Sequence, residues 1–366
     1  MGHPAVENGT PFIVEPVFLT DEDAKPLLVV TVKATYEFAD GPGELAVAPK
    51  QAPVALAGEY WGPPEESSYK YEPEATRLKL ATDVALVGHA HGRGATDVIA
   101  GLQVGQIRKV LRVVGDRVWF KSLGSVGMTK PKKIDTVPLI WERAFGGWDR
   151  TPKDEKDHRC EPRNPVGVGF RSSAGHFEEG LAVPNLEEPG EPLTSFGQRV
   201  APAGFGFIGP NWEPRTRYAG TYDEAWTRSR SPLLPKDFDR RFFNAAAPGL
   251  TAQGYLRGDE QVALVNVTPS GRVTFRLPGR PPPPLLVELE GAQDVTPEAR
   301  LDTVIVNADD RQVYLFWRAE VPLKTGPHDV KTIRVDSQVP APEPGDEDGE
   351  ALDEPGEGNE ASEAEA

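Results

Sequence analysis

The stretch Leu27-Leu28-Val29-Val30-Thr31-Val32-Lys33-Ala34-Thr35-Tyr36-Glu37-Phe38 decides the fold. Leu28, Val30, Val32, Ala34, Tyr36 and Phe38 occupy alternate positions, with Thr31, Lys33, Thr35 and Glu37 between them. Side chains along a strand alternate between its two faces, so this period of two predicts a strand with one apolar and one polar face. Working outward, strand-like runs follow at 79–88 and 107–120. Within the second, Gly115-Asp116 separates Leu111–Val114 from Arg117–Phe120 and predicts a two-residue hairpin turn. Towards the C-terminal side, Val262–Thr268 and Val273–Leu277 flank Pro269-Ser270-Gly271 and predict a hairpin. A second hairpin joins Thr303–Asn307 to Gln312–Arg318, and a last strand spans Val330–Val335. Pro281 to Pro284 form a stiff spacer with no N–H to give a sheet.

Gly and Pro number 37 each in 366 residues, which excludes a chain built mainly of long helices. Thr221-Tyr222-Asp223-Glu224 predicts the best helix start, with Thr221 as N-cap and Glu224 at the third helical position, and Pro232 stops it. Pro138–Phe145 reads as a strand or a short helix. The expected fold is mainly β: antiparallel sheets, sandwich-like, with long turn-rich central insertions and few short helices. One β-rich body is expected over 8–335, with a motif-rich region at 138–250, followed by an acidic tail over 336–366.

Eleven acidic residues and no Lys or Arg lie between 341 and 366, so most of the formal net charge of −16 belongs to that segment. It has little to bury and is expected to be disordered, either as a solvated solubility segment or as a shield for a basic partner. The remaining chain is mildly acidic, which gives no electrostatic reason to bind nucleic acid or an anionic membrane. Cys160 is the one cysteine, so no intramolecular disulfide can form, as suits a reducing compartment. The first residues lack the basic flank and apolar run of a signal peptide, and no window approaches the roughly 20 apolar residues of a spanning helix. A cytoplasmic location is the expectation.

From about 138 to 250 regular alternation gives way to Trp, Gly, Pro and Arg. The strings include Trp141-Glu142-Arg143-Ala144-Phe145-Gly146-Gly147-Trp148-Asp149, Asn164-Pro165-Val166-Gly167 and Trp212-Glu213-Pro214-Arg215. Such a chain makes shape through fixed turns, and Trp and Arg are the types enriched at binding hot spots. The same residues also pack internally, with Arg bonding the carbonyls that irregular backbone leaves unpaired. Gly204-Phe205-Gly206-Phe207-Ile208-Gly209 matches a dinucleotide fingerprint, but Pro210 follows it and forbids the helix that would face a phosphate. His89 and His91 share a face at the end of a strand-like run without an obvious third ligand, so no metal site is assigned. Asp223/Glu224 and Asp237/Asp239 are carboxylate pairs of the kind glycoside hydrolysis uses. First-turn helix acids explain Asp223/Glu224 more cheaply, and Asp237/Asp239 before Arg240-Arg241 suggest local ion pairing. No nucleophile–base pair can be assigned, so no catalytic residue is named.

Taken in order, the motifs resemble a bacterial family, the domain of unknown function 2169. The resemblance rests on Thr10-Pro11-Phe12, Val32-Lys33-Ala34-Thr35-Tyr36, Lys79 with Thr82-Asp83-Val84, and Gly115-Asp116-Arg117. More specific are Glu142-Arg143-Ala144-Phe145-Gly146-Gly147, Asn164-Pro165-Val166-Gly167, Pro184-Asn185-Leu186-Glu187, Pro202-Ala203-Gly204-Phe205 and Ala219-Gly220-Thr221-Tyr222-Asp223. Leu234-Pro235, Asp237-Phe238-Asp239 and Gly258-Asp259-Glu260 complete the set, which runs over roughly 8 to 320. Such proteins are typically encoded beside type VI secretion spike genes and toxic effectors. The resemblance therefore implies a non-enzymatic adaptor or chaperone without cofactors, whose partners are a secreted effector protein and the spike tip protein. Glu142, Arg143, Trp212, Arg215, Tyr222, Asp223 and Trp226 are the candidate partner contacts. Two other classes stay open: a carbohydrate- or cell-wall-active hydrolase using the carboxylates above, and a structural component of the secretion apparatus.

Overall fold

A computed structural model describes residues 4–40 and 42–336, so the expected acidic tail lies outside the described residues. The deciding stretch forms the 12-residue strand Pro26–Glu37. It pairs antiparallel with Ile13–Thr20 on one side and Gln312–Pro322 on the other. Gln312–Pro322 turns back into Arg300–Asn307 as the expected hairpin, and Asp83–Val87 adds to Arg300–Asn307. A second sheet takes the order Leu186–Glu187, Ile107–Val114, Asp97–Val104, Gln261–Val265, Arg272–Arg276 and Pro42–Glu44. Val30, Val32, Leu315 and Trp317 of the first sheet share one buried cluster with Leu102, Leu111, Leu264 and Phe275 of the second. That cluster is the filling of a sandwich, as the apolar alternation requires.

The sheets are mixed rather than purely antiparallel. Asp83–Val87 runs parallel to Arg300–Asn307, and Pro42–Glu44 runs parallel to Arg272–Arg276. Parallel neighbours need long connections, and both pairs are separated by more of the chain than any hairpin could span.

Two local expectations also change. Ile107–Val114 and Arg117–Ser122 exist as strands, but they do not pair across Gly115-Asp116. The turns fall instead at Gly105-Gln106, where Asp97–Val104 meets Ile107–Val114, and at Leu123-Gly124. Gly115 serves a close approach: a Cβ there would lie 1.8 Å from the Lys132 carbonyl oxygen. The helix is Glu224–Ser229, and its N-cap is Asp223, whose carboxylate accepts from the Trp226 N–H at 2.8 Å. Thr221 is drawn off to Asp237 instead, with 3.0 Å and 2.7 Å hydrogen bonds from its N–H and hydroxyl.

Apart from the exposed Glu37, the polar face of Pro26–Glu37 is not solvated. Thr31, Lys33 and Thr35 are buried, because the segment after Ala48 folds back over them. Gln51 accepts from the Thr35 N–H at 2.7 Å and Glu74 holds the Lys33 ammonium at 2.9 Å. Deeper in the same layer, Lys79 bonds Glu72 and Asp83, and Arg318 bonds Asp302, all of them buried. Burial opposes the Lys79 charge, but Asp83 and Glu72 together outweigh it and raise its pKa. Asp83 also accepts from Asn244, the Ala245 N–H and the Thr251 hydroxyl, so it fastens the end of the turn-rich region to the sheet.

Candidate functional site: a turn-built surface

The central region is built on two buried tryptophans. Trp141 and Trp212 meet edge to face, 6.3 Å apart at 86°. The Trp141 indole N–H donates to the Phe207 carbonyl at 2.9 Å. The glycines of the apparent dinucleotide fingerprint make room for these rings: a Cβ on Gly204 would lie 3.0 Å from Trp141, and one on Gly209 would lie 2.9 Å from Trp212. Asn164 is fully buried and its amide donates to the Trp141 and Phe145 carbonyls at 2.8 Å and 3.0 Å. Gly146 and Gly147 have φ of +153° and +92°, and a Cβ on either would meet a backbone carbonyl oxygen at 2.2 Å. These motif residues shape the surface from below it.

Above them opens a cleft of about 830 Å³, lined among others by Tyr60, Tyr69, Trp148, Arg150 and Pro165 to Gly167. Tyr60 and Tyr69 stack at 4.2 Å between centroids, and the Tyr60 hydroxyl donates to that of Tyr69 at 2.7 Å. Burial pushes the Tyr69 phenol up to about 12. On the other side Trp148 is 45% exposed, with the Arg150 guanidinium 5.5 Å over its ring. The loop bearing both is held by Asp149, which is buried and accepts from the Ser172 N–H and hydroxyl at 2.8 Å and 2.5 Å and from His176 Nδ1 at 2.6 Å. Burial would raise the Asp149 pKa, but the Ser172 and His176 bonds hold it well below the usual carboxylate range.

Ser172 and Asp149 both address the same ring nitrogen of His176, so the relay that activates a nucleophilic hydroxyl is not formed. A carboxylate with a lowered pKa stabilises the fold above its unfolded pKa and loses that effect as pH falls through the folded value. Asp149→Asn should therefore lower stability at neutral pH, and the margin should shrink as pH falls below about 4 and the wild-type carboxylate protonates. Denaturant midpoints of both proteins at neutral and acid pH check this; a margin that ignores pH would contradict it.

The sequence-derived contacts divide into inside and outside. Trp212 and Arg215 are 6% and 8% exposed. Arg215 donates to the Ile208 and Phe242 carbonyls at 2.7 Å and 3.0 Å, and burial lowers its pKa. Both side chains are mostly enclosed, and Trp212 also lines the cleft. Glu142 is half-buried and accepts from the Ser68 N–H and hydroxyl at 2.6 Å and 2.8 Å, which ties the Tyr60–Tyr69 hairpin to the central region. Arg143 is exposed, 3.6 Å from Asp116 and 3.3 Å from the Asn185 side-chain oxygen. Tyr222 is 54% exposed and packs against Trp226 at 4.8 Å, while Asp223 caps the helix beneath them. Trp226 is half-buried and donates to the Leu233 carbonyl at 2.9 Å.

Tyr60, Tyr69 and Arg150 were not singled out from the sequence. The aromatic density of Tyr60, Trp61, Tyr69 and Tyr71 in a turn-rich stretch was the available signal.

The carboxylates of the hydrolase reading are occupied. Glu224 pairs with Arg228 at 3.0 Å and Asp239 with Arg241 at 2.5 Å. Hydrogen bonds from Thr221 lower the Asp237 pKa and those from Arg241 lower that of Asp239, opposite to what a general acid needs. His89 Nδ1 lies 2.8 Å from Asp309, and among the described residues no three His, Cys, Asp or Glu side chains are grouped to hold a metal ion.

Over residues 23–318 the chain matches the family described as an uncharacterised protein conserved in bacteria, DUF2169. The chain belongs to this family. The matched region takes in the second sheet, the first sheet apart from Ile13–Thr20 and the end of Gln312–Pro322, and the turn-built surface with the cleft and the helix Glu224–Ser229. No curated protein and no solved structure matches the chain. No described helix is long and apolar enough to cross a membrane.

Proposed function

We propose that the protein is a non-enzymatic adaptor that binds a secreted effector and helps load it onto the tip protein of a type VI secretion spike. The supporting observation is where its exposed aromatic side chains lie. Trp148 and Tyr222 are the two exposed aromatic residues among the described residues, and both stand on the turn-built surface. Aromatic groups on rigid loops lose little side-chain entropy on binding, which is why they dominate interfaces. The loops here are rigid for stated reasons: Asp149 beneath Trp148, and Asp223 with Asp237 around Tyr222. In the same stretch of chain, Arg143 is exposed and Trp226 is half-buried.

The type VI assignment rests on the motif resemblance, and the binding role on this geometry. Tyr222→Ala is expected to weaken effector capture about 10-fold or more, the scale of an aromatic hot spot, with an unchanged melting temperature. Affinity of the purified effector and of the purified tip protein for wild type and variant measures it. An adaptor should also be absent from the assembled sheath and spike; stoichiometric retention there would favour a structural component instead.

A further inference from the structure

The cleft beside Trp148 is lined by aromatic faces and by hydrogen-bond groups that lack partners. Its aromatic walls are the stacked pair Tyr60–Tyr69 and the exposed Trp148 ring. The Tyr69 hydroxyl accepts from Tyr60 and keeps its own hydrogen free to donate. The Arg150 guanidinium over Trp148 and the exposed Asn211 amide also line the cleft, and neither is hydrogen-bonded among the described residues. Of the five charged residues in the lining, Arg171 and Glu178 pair with each other, while Glu65, Glu66 and Arg150 have no ion pair among the described residues. The free carboxylates thus stand at one place, the turn between the two tyrosines.

That turn is fixed. The Ser67 hydroxyl donates to the Pro63 carbonyl at 2.8 Å and accepts from the Gly62 N–H at 3.0 Å, and Glu142 holds Ser68. A ligand that complements these walls carries carbonyl acceptors, few donors, and a cation for Glu65 and Glu66. A polyproline II segment meets all three requirements when a basic residue flanks it. Proline has no N–H, the carbonyls of this helix point outward unpaired, and such segments dock in aromatic-lined grooves. An ordinary strand would bring an N–H at every residue, and a sugar chain would bring many hydroxyl donors. Donors enclosed without acceptors are costly, and away from the turn the cleft has few acceptors to give.

We propose that this cleft binds a proline-rich segment of a partner protein in the polyproline II conformation, with a basic residue of that segment at Glu65 and Glu66. The site belongs to the turn-built surface and rests on the reading of that surface as a binding face. Tyr69, Asn211 and Arg150 donate to the segment's carbonyls, and its rings lie on Tyr60, Tyr69 and Trp148.

Calorimetric titration of the full chain with a synthetic hexaproline–arginine peptide tests this, beside the all-D mirror-image peptide and cellohexaose as a sugar chain. The expected result is a Kd below about 1 mM for the L-peptide and at least about 10-fold weaker binding of its mirror image, whose helix has the opposite hand. Trp148→Ala should lower the affinity about 10-fold and Tyr69→Phe about 3–10-fold, the range of one lost hydrogen bond, each with an unaltered melting temperature. Glu65→Gln/Glu66→Gln should lower it about 2–5-fold for the arginine peptide and leave a glutamine-ended peptide unaffected. No binding of the L-peptide up to about 1 mM, equal binding of both mirror forms, or binding of cellohexaose in place of the peptide would each overturn the site. Absent peptide binding with effector capture intact would sink this site alone. Peptide binding without effector capture would sink the adaptor reading alone.

Discussion

Replacing Lys79 by alanine is expected to cost about 3–5 kcal/mol of folding stability, the range for breaking a buried ion pair from one side. Lys79 is 1% exposed and is bound by Glu72 and Asp83, with Asp302 and Arg318 close behind. Without it, two buried carboxylates lose their cation. Asp83 would then be held only by Asn244, Ala245 and Thr251, the groups through which it grips the turn-rich region. A loss of this size is a large part of the roughly 5–15 kcal/mol that holds a typical domain together. Chemical denaturation of Lys79→Ala and wild type measures it directly. A loss below about 1 kcal/mol would mean that the layer is hydrated and behaves like surface ion pairs.

The second large effect is expected from Trp212→Ala, at about 3–5 kcal/mol for truncating a buried aromatic side chain. Trp212 is packed edge to face on Trp141 and sits over Gly209, where only a residue without a Cβ fits beneath its ring. The consequence separates the two roles that a Trp in this region can have. A support residue lowers stability and leaves the affinity of the folded fraction unchanged. A contact residue lowers affinity and leaves stability unchanged. Trp212→Ala should do the first and Tyr222→Ala the second, and the pair measured side by side checks both.

Much of the fold was legible because alternation reports burial. The period of two over 27–38 located the central strand, and the hairpins after Val262 and Thr303 carried ordinary turn chemistry. What periodicity could not show was that Thr31, Lys33 and Thr35 are buried as well. A polar residue facing solvent and one facing a buried counter-charge look the same in sequence, and the counter-charge of Lys33, Glu74, comes from 41 residues along the chain. Gly115 misled for a related reason. A glycine that admits a crossing backbone and one that makes a turn are chemically identical.

The candidate surface was legible as a region but only partly as residues. Composition singles out Trp, Arg and Tyr, yet Trp212 and Arg215 hold carbonyls and rings from within while Trp148 and Tyr222 face outward. Direction is set by Asn164, Asp149 and the positive φ of Gly146 and Gly147, none of which marks its neighbours as inward or outward. Tyr60 and Tyr69 reach the cleft only because Glu142 pins their hairpin there.

The most direct test of the adaptor reading is the affinity of the purified secreted effector for wild type and for a Trp148→Ala/Tyr222→Ala variant of unchanged melting temperature. The expected result is measurable binding by the wild type that falls about 100-fold in the variant, two hot-spot truncations acting together. Equal affinity in both would place the interface elsewhere. No binding of effector or tip protein by the wild type would contradict the adaptor role itself.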